Sequence, residues 1–194
     1  MTIDAKWLPA GSQTVGPYFQ IGLEYLIDRA DALKPDAARR IEVRGRVLDR
    51  DGAPVPDALL EFWTPSASAI TSSLMPKHFD YSATGYPSGF FRVATDKDGN
   101  FAVLIAKPLA LTLPDGRMQA PHMLVLVFAR GLLRHLLSRV YFADELANSA
   151  DPVLLDVPTE RRSTLIAQTE SSQPNSYRWN VILQGQDETV FFAW

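Results

Sequence analysis

Three turns built from an acidic residue and a glycine cut this chain into short alternating segments. That spacing restricts it to brief strands joined by tight reversals. Asp49-Arg50-Asp51-Gly52, Asp96-Lys97-Asp98-Gly99-Asn100 and Leu113-Pro114-Asp115-Gly116 each offer a glycine for positive φ. Before the first turn, Ile41-Glu42-Val43-Arg44-Gly45-Arg46-Val47 alternates with period two, as a half-buried strand does. After it, Pro54 and Pro56 delay a strand near Ala58 to Trp63, with Leu60 and Phe62 on one face. Further strands are predicted at 101–105, 123–129 and 138–142, with a closing pair at 177–183 and 189–192 around Gly185. Tyr18 to Gly22 reads as a β-like stretch. Helical periodicity is confined to 24–32 and 159–168, the latter entered by Pro158. The pattern predicts an all-β fold, a β-sandwich with short helices in its connections.

Composition excludes several function classes. The chain has 194 residues, no cysteine, three histidines and a formal net charge of −3. Thiolate metal sites and disulfides are ruled out. No basic block offers a face to nucleic acid, and Arg39-Arg40 and Arg161-Arg162 read as isolated, solvated pairs. Residues 1–10 lack the apolar core of a secretory signal, and the longest apolar run, Met123 to Ala129, is too short to cross a bilayer. A cytoplasmic location is expected.

The segment from Ala120 to Gly131 carries the chemistry. It reads as a buried strand opened by His122 and closed by Arg130. A strand that binds metal through two histidines would set them at i and i+2, on one face. Position i+2 is Leu124, which has no donor atom. Taken alone, His122 reads as a hydrogen-bonded structural histidine and Arg130 as an edge salt bridge. His78 and His135 read as solvated, and Tyr81 and Tyr86 as anchors in the long polar loop from Ser66 to Ser88.

Several segments together resemble one family. They are Gly45-Arg46-Val47, Asp51-Gly52-x-Pro54-Val55, Ala58-x-x-Glu61-x-Trp63, Arg92-x-x-Thr95-Asp96, Ala120-Pro121-His122, Arg139-x-Tyr141-Phe142 and Tyr177-Arg178. The C-terminal Gln184-Gly185-x-x-Glu188-Thr189-Val190-Phe191-Phe192 adds to them. The chain is similar to the intradiol ring-cleaving dioxygenases. Gln13-Thr14-x-Gly16-Pro17-Tyr18 and Phe128-Ala129-Arg130-Gly131 resemble the diverged, iron-free alpha subunits of its heteromeric members.

The resemblance implies an intradiol dioxygenase-like β-sandwich over 41–194, preceded by an N-terminal arm and short helical segment over 1–40. It implies O2-dependent cleavage of protocatechuate to 3-carboxy-cis,cis-muconate by an Fe(III) ion held in a homologous beta subunit. This chain would then hold no metal and no catalytic residue. Of the family's two histidine and two tyrosine ligands, it keeps His122. It lacks the second histidine at Leu124, and it lacks a tyrosine in Lys107-Pro108-Leu109-Ala110-Leu111-Thr112. Gln119 stands where the catalytic chains carry an arginine. The resemblance assigns Arg130 to the substrate carboxylate, and Thr14, Gly16, Pro17 and Tyr18 to an arm lining the pocket mouth. Two other readings stay open. One is a β-sandwich binding or structural module without a partner enzyme, and the other is a self-sufficient dioxygenase with unusual ligands.

Overall fold

The computed structural model describes residues 13–16, 18–23, 40–64, 90–113, 115–171 and 173–193. Their elements are, in chain order, α1 (Tyr18–Leu23), β1 (Arg40–Leu48), β2 (Leu59–Trp63), β3 (Phe90–Ala94), β4 (Asn100–Ala106), β5 (Leu111–Thr112), β6 (Met118–Gln119), β7 (His122–Phe128) and β8 (Leu136–Phe142). Two 3-10 turns, Leu146–Ala150 and Thr159–Leu165, flank α2 (Pro152–Asp156). The chain then forms β9 (Ile166–Thr169), β10 (Ser176–Arg178) and β11 (Val181–Ile182).

The alternation of β1 decides how it pairs. Ile41, Val43 and Val47 point inward and are buried, as is Gly45, while Glu42, Arg44 and Arg46 stay partly exposed. One edge takes β4 antiparallel along seven residue pairs. The other takes β10 and then β11, both parallel. The sheet continues β10-β9-β8-β7-β2-β3, for nine strands in all. Its two ends close over one core, where Val43, Val47, Phe101 and Ile105 meet Leu60, Phe62, Met123, Val125 and Phe142. Each such side chain stabilises the fold by roughly 1.5–3 kcal/mol. A second cluster, Tyr141, Leu154, Val157 and Leu165 with Ala120, lies on the opposite face of β8.

The acidic turns form as their residues dictate. Asp49 Oδ1 accepts from the amides of Asp51 and Ala53 at 2.9 and 2.8 Å. Asp96 Oδ1 does the same for Asp98 and Asn100, both at 2.8 Å. Gly52 and Gly99 follow with φ of 76° and 74°. The motif residues Glu61 and Arg92 are register partners on β2 and β3, and they form a largely buried ion pair. Thr95 Oγ1 accepts from Ala58 N at 3.0 Å and donates to Val55 O at 2.8 Å, which pins the turn before β2.

Several local expectations need correction. Tyr18–Leu23 is a short helix rather than a β-like stretch, and Phe19 packs on Phe128 at a centroid distance of 4.7 Å. This tertiary contact outweighs six residues of weak preference. The helix expected over 159–168 is a 3-10 turn that passes into β9 at Ile166, where pairing with β8 takes the backbone. The strand expected over 177–183 breaks at Trp179-Asn180, between β10 and β11. Residues 189–192 hydrogen-bond to β11 through Thr189 and then bridge to β8, with Phe192 N donating to Leu137 O at 2.8 Å. Arg161 and Arg162 are anchored. Arg162 donates to Val157 O and Leu155 O at 2.8 Å each, closing the end of α2, and Arg161 donates to Glu188 O at 3.0 Å. The helix expected over 24–32, His78, Tyr81 and Tyr86 lie outside the described residues. Among the described residues, no helix is long and apolar enough to cross a membrane.

The break at Trp179 has a steric cause. A Cβ on Gly45 would stand 1.6 Å from the Trp179 carbonyl oxygen. Trp179 N donates to Arg44 O at 2.9 Å, and Arg46 N turns to the Asn180 side chain at 3.0 Å. The backbones touch where the ladder is interrupted, so only glycine fits. Gly45→Ala should cost at least the ~1–3 kcal/mol of an overpacked core site. A denaturant midpoint equal to the parent's would refute the close approach.

Candidate functional site

The N-terminal arm and the end of β7 meet at a turn set by Gly131, whose φ is 82°. Thr14 Oγ1 accepts from Gly131 N at 3.2 Å and from its own neighbour Gly16 N at 3.1 Å. Two amides therefore occupy the acceptor side of one hydroxyl, and its proton is left to donate outward. Gly16 takes φ of 66°, which lets the arm fold back on itself. Phe19 rests on Phe128, and Gln20 Nε2 donates to Thr95 O at 3.4 Å. Thr14, Gly16 and Arg130 are thus brought to one place. Tyr18 lies close in sequence but is 68% exposed, so its ring is not packed into the fold. Pro17 lies outside the described residues.

Arg130 is gripped from below. Its Nε donates to Asp57 Oδ2 at 2.6 Å. The arginine side chain is 62% exposed, while that of Asp57 is 7% exposed. The terminal guanidinium nitrogens of Arg130 have no hydrogen-bond partner among the described residues, and neither does the buried Asp57 Oδ1. A buried acceptor left unpaired costs about 1–3 kcal/mol, so this carboxylate is held in place by the fold around it. Asp57 follows Pro56 in the turn pinned by Thr95. The salt bridge read from the sequence is present, and it leaves the outer edge of the fork exposed.

The second feature is the outward face of β7. Met123, Val125 and Val127 point into the core, so His122, Leu124, Leu126 and Phe128 share the other face. His122 is 2% exposed, and its Nδ1 lies 2.7 Å from Ala120 O. The β7–β8 register sets Tyr141 opposite His122 and Arg139 opposite Leu124. Arg139 Nη1 donates to Tyr141 Oη at 3.4 Å, and that hydroxyl donates to Asp151 Oδ1 at 3.1 Å. Asp151 also caps α2 through Val153 N and Leu154 N, and it accepts from Ala120 N at 2.8 Å. Burial, reinforced by the Arg139 charge, pushes the His122 imidazole down to about 4. Burial pushes the Tyr141 phenol up.

Comparison with known proteins identifies the family of the chain. A dioxygenase family profile matches residues 16–185. The protocatechuate 3,4-dioxygenase alpha chain of Burkholderia cepacia is 40% identical over 196 residues, which cover 93% of this chain and 95% of that one. The chain belongs to the intradiol dioxygenase family. The protocatechuate 3,4-dioxygenase beta chain of the same organism is 28% identical over 157 residues, covering 77% of this chain and 66% of that one. Catechol 1,2-dioxygenase of Acinetobacter sp. ADP1 shares the fold at a TM-score of 0.55 and 16% identity. That alignment covers 79% of this chain and only 55% of the longer enzyme.

Ferric iron, the metal of intradiol dioxygenases, does not fit the donors on this face. It prefers anionic oxygen together with imidazole. The described residues offer one neutral imidazole with a nitrogen at a backbone carbonyl, one leucine, and a phenol committed to Asp151. A permanent guanidinium stands where the second ligand's neighbour would be. Leu109 to Thr112 carry no phenol, and no group of three or more histidines, cysteines, aspartates or glutamates that could hold a metal occurs among the described residues. Sequence reasoning missed Asp57, Arg139 and Asp151. Arg139 and Tyr141 were legible as a motif, but their bonding was not. Asp57 carried no local signal, being 73 residues from its partner.

The depressed imidazole gives a pH dependence with a definite sign. The folded value, about 4, lies below the ordinary 6.5, so the unfolded chain binds more protons in between. His122 therefore contributes stability that is fully present above about pH 6.5 and is lost as the pH falls toward 4. The loss is roughly 3 kcal/mol at most. Urea midpoints measured from pH 7 to pH 4.5 should fall less steeply in His122→Gln than in the parent. Parallel slopes would assign the acid sensitivity to other groups.

Proposed function

We propose that this chain is the iron-free alpha subunit of a protocatechuate 3,4-dioxygenase. It pairs with a homologous beta subunit that carries the non-haem Fe(III). It supplies part of the pocket in which protocatechuate is opened by O2 to 3-carboxy-cis,cis-muconate. One observation carries the reading. Thr14 bonds the amide of Gly131, so the arm and Arg130 stand together with an arginine fork facing outward. The 40% identity to a chain named as such a subunit supports it. The donor-poor face of β7 supports it as well, because this chain would need its iron from elsewhere.

The division of labour follows from charge. The beta chain supplies the metal and the chelation of the two ring hydroxyls. The substrate's carboxylate lies away from them, and burying it unpaired costs free energy. Arg130 offers a planar, permanently charged partner, with the Thr14 hydroxyl beside it as a neutral donor. Gly16 shapes the arm at the pocket mouth and Tyr18 presents its phenol there, and Pro17, outside the described residues, is assigned to the same arm by its place in the sequence. Residues 1–40 act as the arm and 41–194 as the sandwich. The pair works in the cytoplasm, consistent with a chain that has no cysteine.

Co-expression with an iron-bearing homologue tests the assembly. The expected product is a hetero-oligomer with one iron per beta chain and an interface on the order of 2,000 Å² or more. This chain purified alone should be colourless and inactive. About one tightly bound iron in it, or ring cleavage by it, would remove the proposal. Arg130→Ala in the heteromer tests the pocket. It should lower kcat/KM for protocatechuate roughly 10- to 150-fold, the worth of a charge-assisted hydrogen bond. Catechol, with no carboxylate, should turn over as before. Equal losses on both substrates would make Arg130 structural.

A further inference from the structure

We infer that Asp57 is the positioning residue of this pocket: its buried carboxylate holds Arg130 by Nε and so aims the two terminal nitrogens at the incoming anion. The inference rests on the pocket role proposed for Arg130. Three features of the pair carry it.

The first is asymmetry. Asp57 is buried to 7% side-chain exposure while Arg130 keeps 62%, so the pair is a fixed base under an exposed head. The second is the choice of nitrogen. Only Nε is engaged, at 2.6 Å, which leaves the outer edge of the fork for a second carboxylate. A plain structural ion pair would gain more by giving both carboxylate oxygens to the guanidinium. Here Oδ1 stays buried without a partner. The third is the rigidity of both bases. Asp57 sits in the turn pinned through Thr95 Oγ1 to Val55 O and Ala58 N. Arg130 leaves the end of β7 beside a Gly131 whose amide is held by Thr14. The flexible part is the arginine stem, and Asp57 removes its freedom before substrate arrives. Orienting a group in advance lowers the cost of binding without a new contact to the ligand.

The acid also limits what can replace the arginine. A lysine has a single nitrogen at its tip. Beside a buried carboxylate that nitrogen would be drawn to Asp57 and withheld from the substrate.

The test uses the heteromer with its beta chain and iron, with protocatechuate and catechol as probes. Asp57→Asn should raise KM for protocatechuate about tenfold while leaving kcat within about twofold and catechol unchanged. Placed on an Arg130→Ala background, Asp57→Asn should produce no further loss of the protocatechuate-to-catechol ratio. Equal losses on both substrates, or losses that add in the double variant, would overturn the inference. Arg130→Lys changes only an exposed side chain and so covers the case in which Asp57→Asn does not fold. Its ratio should fall nearly to that of Arg130→Ala, and a ratio close to the parent's would overturn the anchoring role. If Arg130→Ala itself leaves the ratio unchanged, the pocket reading fails. If Arg130→Ala lowers the ratio and Asp57→Asn does not, only the role of Asp57 fails.

Discussion

Burial of Met123, Val125 and Val127 is the constraint on which the rest depends. Those three side chains lock β7 into one register, because a slip by one residue would turn all of them to the outside. Once the register is fixed, His122 and Leu124 must share the other face, and the strand must deliver Arg130 to a turn at its end. The same alternation carries across the ladder and sets Arg139 and Tyr141 opposite them. Core packing thereby decides which residues share the outward face with His122 and where Arg130 leaves the strand.

The two ends of β7 have gone different ways. At its start, a histidine has been drawn into a neutral, desolvated network with Tyr141 and Asp151, and a guanidinium supplies fixed positive charge. Such a place gains nothing from a trivalent cation. At its far end, charge is kept at the surface, with one edge of an arginine tied and the other exposed. Among the described residues, the outward face at the start of β7 is poor in metal donors, while the far end carries an exposed cation.

Most of the sheet was legible in the sequence because strand signals are local. β1 alternates with period two, β2, β4, β7 and β8 stand out as short apolar runs, and the acidic turns mark the end of β1 and the start of β4. Reading failed where the determinant was distant. α1 is helical because Phe19 finds Phe128, more than a hundred residues on. The 177–183 stretch breaks because Gly45 admits the Trp179 carbonyl, and nothing near residue 179 announces it. Of the candidate site, Thr14 and Gly16 stand out only through family resemblance, whereas Arg130 also reads as an edge salt bridge from its place at the end of a strand. Asp57 reads as one more turn residue until β2 is paired with β7 and Leu59 lies opposite Phe128.

The pairing of β1 has a consequence for how the chain is made. Its free edge accepts β10 and β11, which lie some 130 residues later. A ribosome must therefore deliver some 130 further residues before β1 is completed on both sides. Until then β1 exposes a row of amides and carbonyls that any passing strand could use. Such long-range closure is slow. Synthesis in step with a binding partner, or custody by a chaperone during that interval, would shelter the open edge while the last residues arrive.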